Sequence, residues 1–203
     1  MIHIIGKVPQ KVAIAVSGGV DSMAVLDFLR RSREVQVLHY NHGTGKYADQ
    51  ATDLVRDYCR KHRLFLALGW NDKKMPAGVS AEAWWREQRY SFFEEATDLP
   101  IITAHHLGDA VENWIFTSLN GNPFLIPHKR GQYLRPFLTT EKSKLESWCN
   151  RKEVPYLTDP SNVDTKHRRN YIRHVMMPHV ENINPGIKKT IKKKLISSFK
   201  EPL

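Results

Sequence analysis

Cysteine and long apolar runs are what this chain has little of. Only Cys59 and Cys149 occur among its 203 residues, and they lie too far apart to form a C-x-x-C motif. A disulfide framework and a cysteine-based zinc site are therefore excluded. No apolar run has the length of a membrane span, and residues 1–7 lack the pattern of a secretory signal. These features predict a reduced, cytoplasmic setting without membrane attachment.

Acidic residues are also scarce relative to basic ones. The chain has 21 aspartates and glutamates against 31 lysines and arginines, which gives a net charge of +10. Residues 161–203 alone contain ten basic and three acidic residues. This concentration predicts a polyanionic partner such as nucleic acid, although a solubilising tail is the alternative. Lys189, Lys192 and Lys193 fall at helical spacing there and are predicted to contact phosphates.

Two common nucleotide-binding patterns are missing, G-x-x-x-x-G-K-[ST] and G-x-G-x-x-G. Residues 17–22 instead read Ser-Gly-Gly-Val-Asp-Ser and follow the apolar run 12–16. Gly18 and Gly19 allow consecutive backbone N–H groups to converge, and Ser17 and Ser22 add hydroxyl donors. A helical pattern follows, and anions are favoured at helix N-termini. This segment, called the glycine loop below, is predicted to bind phosphates.

Asp21 stands inside the glycine loop, where phosphate-binding loops of the commoner kind carry a lysine. Its carboxylate would repel a phosphate unless a cation lay between the two groups. Carboxylate oxygens are ligands that Mg²⁺ prefers, together with substrate phosphates. The loop therefore predicts a Mg²⁺-bound polyphosphate or a pyrophosphate leaving group with Asp21 near the metal.

Short apolar runs alternate with helical patterns along the first half of the chain. The runs are residues 12–16, 35–39, 64–68 and 100–104, and the helical patterns cover 22–32, 49–62 and 79–97. This alternation predicts a doubly wound, mostly parallel α/β sheet over residues 1–135. Residues 136–203 are predicted to form a small helical annex, with helices over residues 140–152, 164–177 and 186–199. Because ligands collect beyond the carboxyl ends of parallel strands, we expect His39 and His105 near the nucleotide.

Residues 105–113 read His-His-Leu-Gly-Asp-Ala-Val-Glu-Asn and open a helix after the fourth run. Asp109 and Glu112 are three apart and share a helix face, where they could bind Mg²⁺ or handle a proton. The alternatives are a first-turn acid for Asp109 and a solvated charge for Glu112.

These motifs together resemble a known family. The glycine loop resembles the signature of the PP-loop ATP pyrophosphatases, which cleave ATP between the α and β phosphates. The full set, from about residue 12 to 185, resembles the catalytic domain of the tRNA(Ile)-lysidine synthetases. The matching motifs are residues 17–22 (SGGVDS), 39–43 (HYNHG), 82–83 with Arg86, Arg89 and Tyr90, 103–106 (TAHH) with Asp109 and Glu112, 135–136 (RP), 159–162 (DPSN) and 169–174 (RNYIRH).

The resemblance implies an adenine nucleotide alpha hydrolase-like fold and a two-step ligation. ATP would adenylate the C2 oxygen of the wobble cytidine in a CAU-anticodon isoleucine tRNA, and lysine would then displace AMP. The implied site residues fall into four groups. Ser17, Gly18, Gly19, Asp21 and Ser22 would bind the phosphates, and Asp21 and Asp109 would bind Mg²⁺. Catalysis would depend on Asp21, Asp109 and Arg173. The anticodon would contact Arg169, Asn170 and Arg173.

Two other functions stay open at this point. Another PP-loop tRNA-modifying enzyme, such as a thiolase, would generally show cysteine pairs, which this chain lacks. An inactive tRNA-binding relative is the second, because Gly108 stands where the family has the first of two adjacent acids. Both a monomer and a homodimer are compatible with the sequence.

Overall fold

Six strands form the central sheet of the computed structural model, which describes residues 2–166 and 168–199 without the side chain of Glu82. In chain order they are β1 (Lys11–Ala15), β2 (Glu34–Asn41), β3 (Phe65–Trp70), β4 (Ile101–Ile102), β5 (Lys129–Arg130) and β6 (Tyr133–Leu134). Their order across the sheet is β3-β2-β1-β4-β6-β5, and only β5 and β6 pair antiparallel. The predicted mostly parallel α/β fold is confirmed. The short strands β5 and β6 were not predicted.

Helices cover the sheet and continue beyond it. They are α1 (Val20–Leu29), α2 (Lys46–His62), α3 (Ala81–Ala96), α4 (Leu107–Leu119), α5 (Lys142–Lys152), α6 (Arg168–Tyr171), α7 (Met177–Ile183) and α8 (Ile187–Ser198). Lys200, counted above among the basic residues, lies outside the described part of the chain. Within that part, no helix combines the length and apolar character needed to cross a membrane.

The predicted helix over residues 164–177 is confirmed only in part, because the helical residues begin at Arg168 and do not form a regular α-helix throughout. That stretch instead follows a 3-10 turn (Pro160–Val163) and contains the four-residue α6 and a π-helical turn (Ile172–Met176). Pro178 has no backbone N–H to continue a regular helix, and before it the Met177 N–H bonds to the Ile172 carbonyl, five residues back. The wider turn contains Arg173.

The buried residues join the C-terminal helices to the sheet. Val12 and Ile14 of β1 are fully buried and pack with apolar residues of α1, α2 and α5. On α8, the residues at helical spacing, Ile187, Ile191 and Leu195, pack against α4. Because α4 begins at the carboxyl end of β4, this packing brings the C-terminal helices to the edge of the sheet where the glycine loop lies.

Candidate active site

The glycine loop begins where β1 ends, and its own hydroxyls hold its shape. The Ser22 hydroxyl donates to the Gly19 carbonyl (2.9 Å) and accepts from the Ser17 backbone N–H (3.1 Å). Gly18 has φ +86°, and a Cβ there would lie 3.2 Å from the Ala51 Cβ, so glycine suits this position. Gly19 is the N-cap of α1 and has no side chain. The first N–H groups of α1 are therefore open to an anion.

A segment from the C-terminal half supports this loop from outside. The Leu157 backbone N–H donates to the Gly18 carbonyl at 2.9 Å, and Gly19 and Leu157 form a parallel bridge. Shortly after Leu157, the Asp159 carboxylate caps the 3-10 turn by accepting from the Ser161 N–H at 2.8 Å. This contact explains how the motif at residues 159–162 comes to lie beside the glycine loop.

His106 lies between the two predicted catalytic carboxylates. Its Nε2 is 3.7 Å from Asp21 Oδ2, and its Nδ1 is 3.6 Å from Asp109 Oδ2. The residue is the N-cap of α4: its backbone N–H donates to Asp109 Oδ2 (2.9 Å), and its Nδ1 accepts from the Asp109 N–H (3.4 Å). The structure therefore brings Asp21 and Asp109 together around one imidazole.

The Asp21 side chain is half-buried beside His106 and Lys142. Burial raises the pKa of its carboxyl, although nearby His106 and Lys142 act in the opposite direction. Its Oδ1 is buried and has no hydrogen-bond partner among the described residues. No group of three or more histidine, cysteine, aspartate or glutamate side chains fit to hold a metal occurs in those residues. Since Mg²⁺ commonly takes one or two carboxylates plus phosphates, Asp21 and Asp109 fit such an ion.

Glu112 and Arg173 form a bidentate ion pair next to Asp109. Arg173 Nε donates to Glu112 Oε1 (2.7 Å) and its Nη2 to Oε2 (2.9 Å), while Nη2 lies 3.4 Å from Asp109 Oδ1. The hydrogen bonds with Glu112 raise the pKa of Arg173. Glu112 is only 8% exposed, so the alternative of a solvated surface charge is wrong. The predicted catalytic residues Asp109 and Arg173 are thus in contact.

The two predicted nucleotide-binding histidines have different surroundings. His39 is buried, and both ring nitrogens have partners: Nδ1 with the Val16 carbonyl (2.8 Å) and Nε2 with the Thr52 hydroxyl (2.9 Å). These bonds connect the end of β1 to α2 behind the glycine loop. His105 is bonded to the Thr103 hydroxyl (2.8 Å), and burial lowers its pKa to about 4. Nucleotide contact by either histidine stays a prediction.

His105 faces a second region, called the arginine cavity here. The cavity is lined by Arg86, His105, Asp109, Glu112, Asn113, Phe116, Phe124, Ile126, Pro127, Arg130, Arg135, Arg169 and Arg173. Of the predicted anticodon residues, Arg169 and Arg173 lie here, whereas the Asn170 amide donates to the Ser161 and Asp164 carbonyls. Lys189 and Lys193 are exposed on α8.

Sequence reasoning missed several residues that the fold places at this edge. His106 could have been found as the polar N-cap position directly before α4. Lys142, in the first turn of α5, lines a cavity of about 380 Å³ together with His106 and Arg173. Arg130 had no signal, because a strand of two residues shows no periodicity, whereas Arg135 belonged to the matched motif at residues 135–136 but was given no role.

Comparison with known proteins places this geometry in a family. A family model described as PP-loop domain matches residues 3–180. Three curated proteins named tRNA(Ile)-lysidine synthase are similar. They come from Thermotoga sp. strain RQ2 (29% identity; 90% of this chain, 48% of that protein), Lactiplantibacillus plantarum (32%; 90% and 44%) and Persephonella marina (32%; 87% and 43%). The chain thus spans slightly less than half the length of these relatives.

Two solved structures share the fold at low sequence identity. The U34-tRNA thiolase NcsA from Methanococcus maripaludis has a TM-score of 0.72 at 16% identity, covering 97% of this chain and 75% of that one. The NH3-dependent NAD synthetase from Campylobacter jejuni has 0.50 at 14%, covering 97% and 89%. These structures show the fold, and the match of the family model over residues 3–180 shows that the chain belongs to the PP-loop domain family.

Proposed function

We propose that this chain uses ATP to attach lysine to C2 of the wobble cytidine in a CAU-anticodon isoleucine tRNA. The reaction proceeds through an adenylated base and releases AMP and pyrophosphate. The observation that supports it most is the position of Asp21 and Asp109 on either side of His106, beside a loop open to phosphates. The similarity to proteins named tRNA(Ile)-lysidine synthase over about 90% of the chain supports the choice of substrate.

In the first step, the glycine loop and the N-terminus of α1 bind the β and γ phosphates of ATP. The cytidine C2 oxygen attacks the α phosphorus, a P–O bond forms, and the bond to pyrophosphate breaks. Asp21 and Asp109 would hold a Mg²⁺ ion, which would supply positive charge to the departing pyrophosphate. Lys142, whose charge favours the ionised form of Asp21, adds a positive charge beside the loop.

In the second step, the lysine amine attacks C2 and the C–O bond to AMP breaks. The amine must lose a proton, and Asp109 is the carboxylate that we propose accepts it. Arg173 orients Asp109 while its bidentate pair with Glu112 holds the guanidinium in place. Arg169, Asn170 and Arg173 are proposed to face the anticodon. The proposed setting is the cytoplasm, where tRNA and ATP are present.

The test is incubation of the chain with ATP, Mg²⁺, labelled lysine and a CAU-anticodon tRNA transcript. We expect label in the RNA, tRNA-dependent exchange of pyrophosphate into ATP, and neither with Asp109→Asn. Mass spectrometry of the modified nucleoside separates lysine from sulfur addition. Exchange without lysine incorporation would contradict the choice of nucleophile, and binding of tRNA without exchange would leave only an inactive relative.

A further inference from the structure

The arginine cavity contains more positive charge than its own carboxylates can balance. Five arginines line it, and they come from α3, β5, the segment after β6, α6 and the π-helical turn. The cavity has two carboxylates, Asp109 and Glu112, and Arg173 contacts both. Among the residues that the structure describes, neither Arg130 nor Arg135 forms an ion pair with a carboxylate.

Arg135 is the least expected of these side chains, because a charged residue that is 6% exposed normally has a partner of opposite charge. Its Nη1 donates to the Pro127 carbonyl (3.0 Å), but its Nε is buried without a hydrogen-bond partner in the described structure. Burial lowers its pKa, nearby Tyr90 opposes that shift, and Arg86 and Arg130 add to it. An anion in the cavity would supply both the missing acceptor and the missing charge.

Apolar residues also line the arginine cavity, among them Phe116, Phe124 and Ile126. Phe124 is 48% exposed, yet its backbone is anchored to α4 on both sides. Its N–H donates to the Thr117 hydroxyl (3.1 Å), and its carbonyl accepts from the Asn113 amide (3.1 Å). The loop therefore holds an accessible aromatic ring at a defined position in the lining of the arginine cavity.

We propose that the arginine cavity is a nucleotide subsite for single-stranded RNA, in which Arg130 and Arg135 bind a phosphodiester and Phe124 stacks on the adjoining base. A cavity that contains both several arginines and an exposed aromatic ring suits single-stranded RNA, whose backbone is anionic and whose bases stack. The inference rests on the proposed function only in taking RNA as the substrate. It adds a backbone contact that positions the reacting nucleotide next to Asp109, which lines the same cavity.

The test uses Arg130→Gln, because Arg130 is exposed and its replacement leaves the core intact. The probe is a CAU-anticodon stem-loop RNA in which single loop phosphodiesters are replaced, one at a time, by uncharged methylphosphonates. We expect wild type to lose about tenfold in affinity at one position. Arg130→Gln should bind unmodified RNA more weakly than wild type by a similar factor. The methylphosphonate at that position should not weaken its binding further. The slope of log affinity against log salt should fall by about 0.7 to 1.

Arg151→Gln is the matched control, since it removes the same charge from an exposed site on α5 outside the cavity. It should behave like wild type. Phe124→Ala should weaken RNA binding by roughly 5- to 150-fold without altering the salt slope. ATP affinity should be equal in all four proteins, and inorganic phosphate should compete only weakly.

Different results would overturn the subsite. If Arg130→Gln binds ATP more weakly but keeps the salt slope of RNA binding, the cavity binds the triphosphate instead. If all four proteins have the same salt slope, no RNA phosphate contacts the cavity. Binding is measured without lysine or ATP, so the two proposals can fail separately. If Arg130→Gln weakens RNA binding but the wild type does not incorporate lysine, only the proposed reaction is contradicted. If the wild type incorporates lysine but the salt slope of RNA binding is the same in all proteins, only the subsite is contradicted. No binding of the stem-loop by wild type would contradict both.

Discussion

His106 Nε2 lies 3.7 Å from Asp21 Oδ2, so one imidazole connects the loop after β1 with the helix after β4. The His106 side chain is 4% exposed, and its role as N-cap of α4 holds the ring in place. Because Asp109 completes the same cap, the separation of Asp21 and Asp109, the two proposed catalytic carboxylates, depends on where this ring sits. The proposed chemistry is therefore sensitive to any change that moves His106.

A substitution at Gly108 is expected to displace the His106 ring. A Cβ on Gly108 would lie 2.7 Å from His106 Cε1, which is closer than the ring can tolerate. Alanine normally stabilises a helix relative to glycine by about 1 kcal/mol. We expect the opposite for Gly108→Ala: a loss of about 1 kcal/mol as the cap is displaced, with reduced activity. Thermal unfolding and the lysine-incorporation assay measure the two effects.

The control for Gly108→Ala is the same substitution in a His106→Asn background. Asparagine still caps a helix but has no ring at the position of the clash. In that background Gly108→Ala should be neutral or stabilising, and its sign should reverse relative to wild type. Equal destabilisation in both backgrounds would show that the ring is not the cause.

Asp21→Asn should separate stability from activity. The pKa of Asp21 is raised by burial, so its ionised form is disfavoured in the folded protein. Ionised Asp21 thus lowers stability as pH rises through the ordinary aspartate range, and the neutral amide removes that effect. At neutral pH we expect a higher unfolding midpoint for Asp21→Asn than for wild type. We also expect its apparent affinity for Mg²⁺ in the ATP-consuming reaction to be at least about tenfold lower.

Asp53→Asn is the matched control for Asp21→Asn, because Asp53 is 67% exposed in a surface pair with Arg56. It should shift stability by less than about 1 kcal/mol and leave activity unchanged. A decrease in the midpoint of Asp21→Asn would contradict the predicted sign.

The exposed lysines of α8 give a prediction about tRNA affinity. Lys189 and Lys193 are exposed and Lys192 is half-buried, while the opposite face of the helix packs in the core. Replacing all three by glutamine should weaken tRNA binding and lower the salt slope by about 2 to 3, since each phosphate contact releases counterions. The same substitutions at Lys11, Arg60 and Lys61, at the opposite edge of the sheet, should have little effect. If the α8 variant binds tRNA as tightly as wild type, these lysines do not contact tRNA, and the alternative of a solubilising tail is favoured.

Asp27 gives a prediction about stability and pH. Its carboxylate accepts from Tyr58 on α2 (2.6 Å), Trp148 on α5 (2.9 Å) and Arg31 (3.0 Å). Burial alone would raise the pKa of Asp27, but these hydrogen bonds lower it from 3.8 to about 2. A depressed pKa stabilises the fold above the unfolded value and loses that effect as pH falls from about 4 towards 2.

Asp27→Asn should therefore be less stable than wild type by about 2 kcal/mol at neutral pH, and the difference should shrink across that acidic range. Denaturant unfolding at several pH values measures it. Asp57→Asn, at an exposed pair with Arg60, is the control and should show no such dependence. A difference that stays constant with pH would contradict the assignment of Asp27 as the titrating group.

Much of the fold could be predicted because its signals are local. The four short apolar runs, the glycine loop and the helical patterns are contiguous stretches of sequence. Their pattern alone therefore located β1 to β4 and α1 to α3. The helix expected over residues 164–177 was confirmed only in part, because Pro178, which interrupts its regular hydrogen bonding, lies just beyond the end of that pattern. Its π-helical turn places Arg173 on Glu112, a contact between residues 61 apart in the chain.

The sequence by itself determined the parallel sheet, the glycine loop at the end of β1 and the concentration of basic charge near the C-terminus. Each of these is set by neighbouring residues and by the 2.0 and 3.6 periodicities of strand and helix. Only the tertiary structure decided that His106 lies between Asp21 and Asp109 and that arginines from five segments line one cavity. Such contacts depend on how β4, β6 and the C-terminal helices pack around the sheet edge, and long-range packing leaves no periodic signal in the chain.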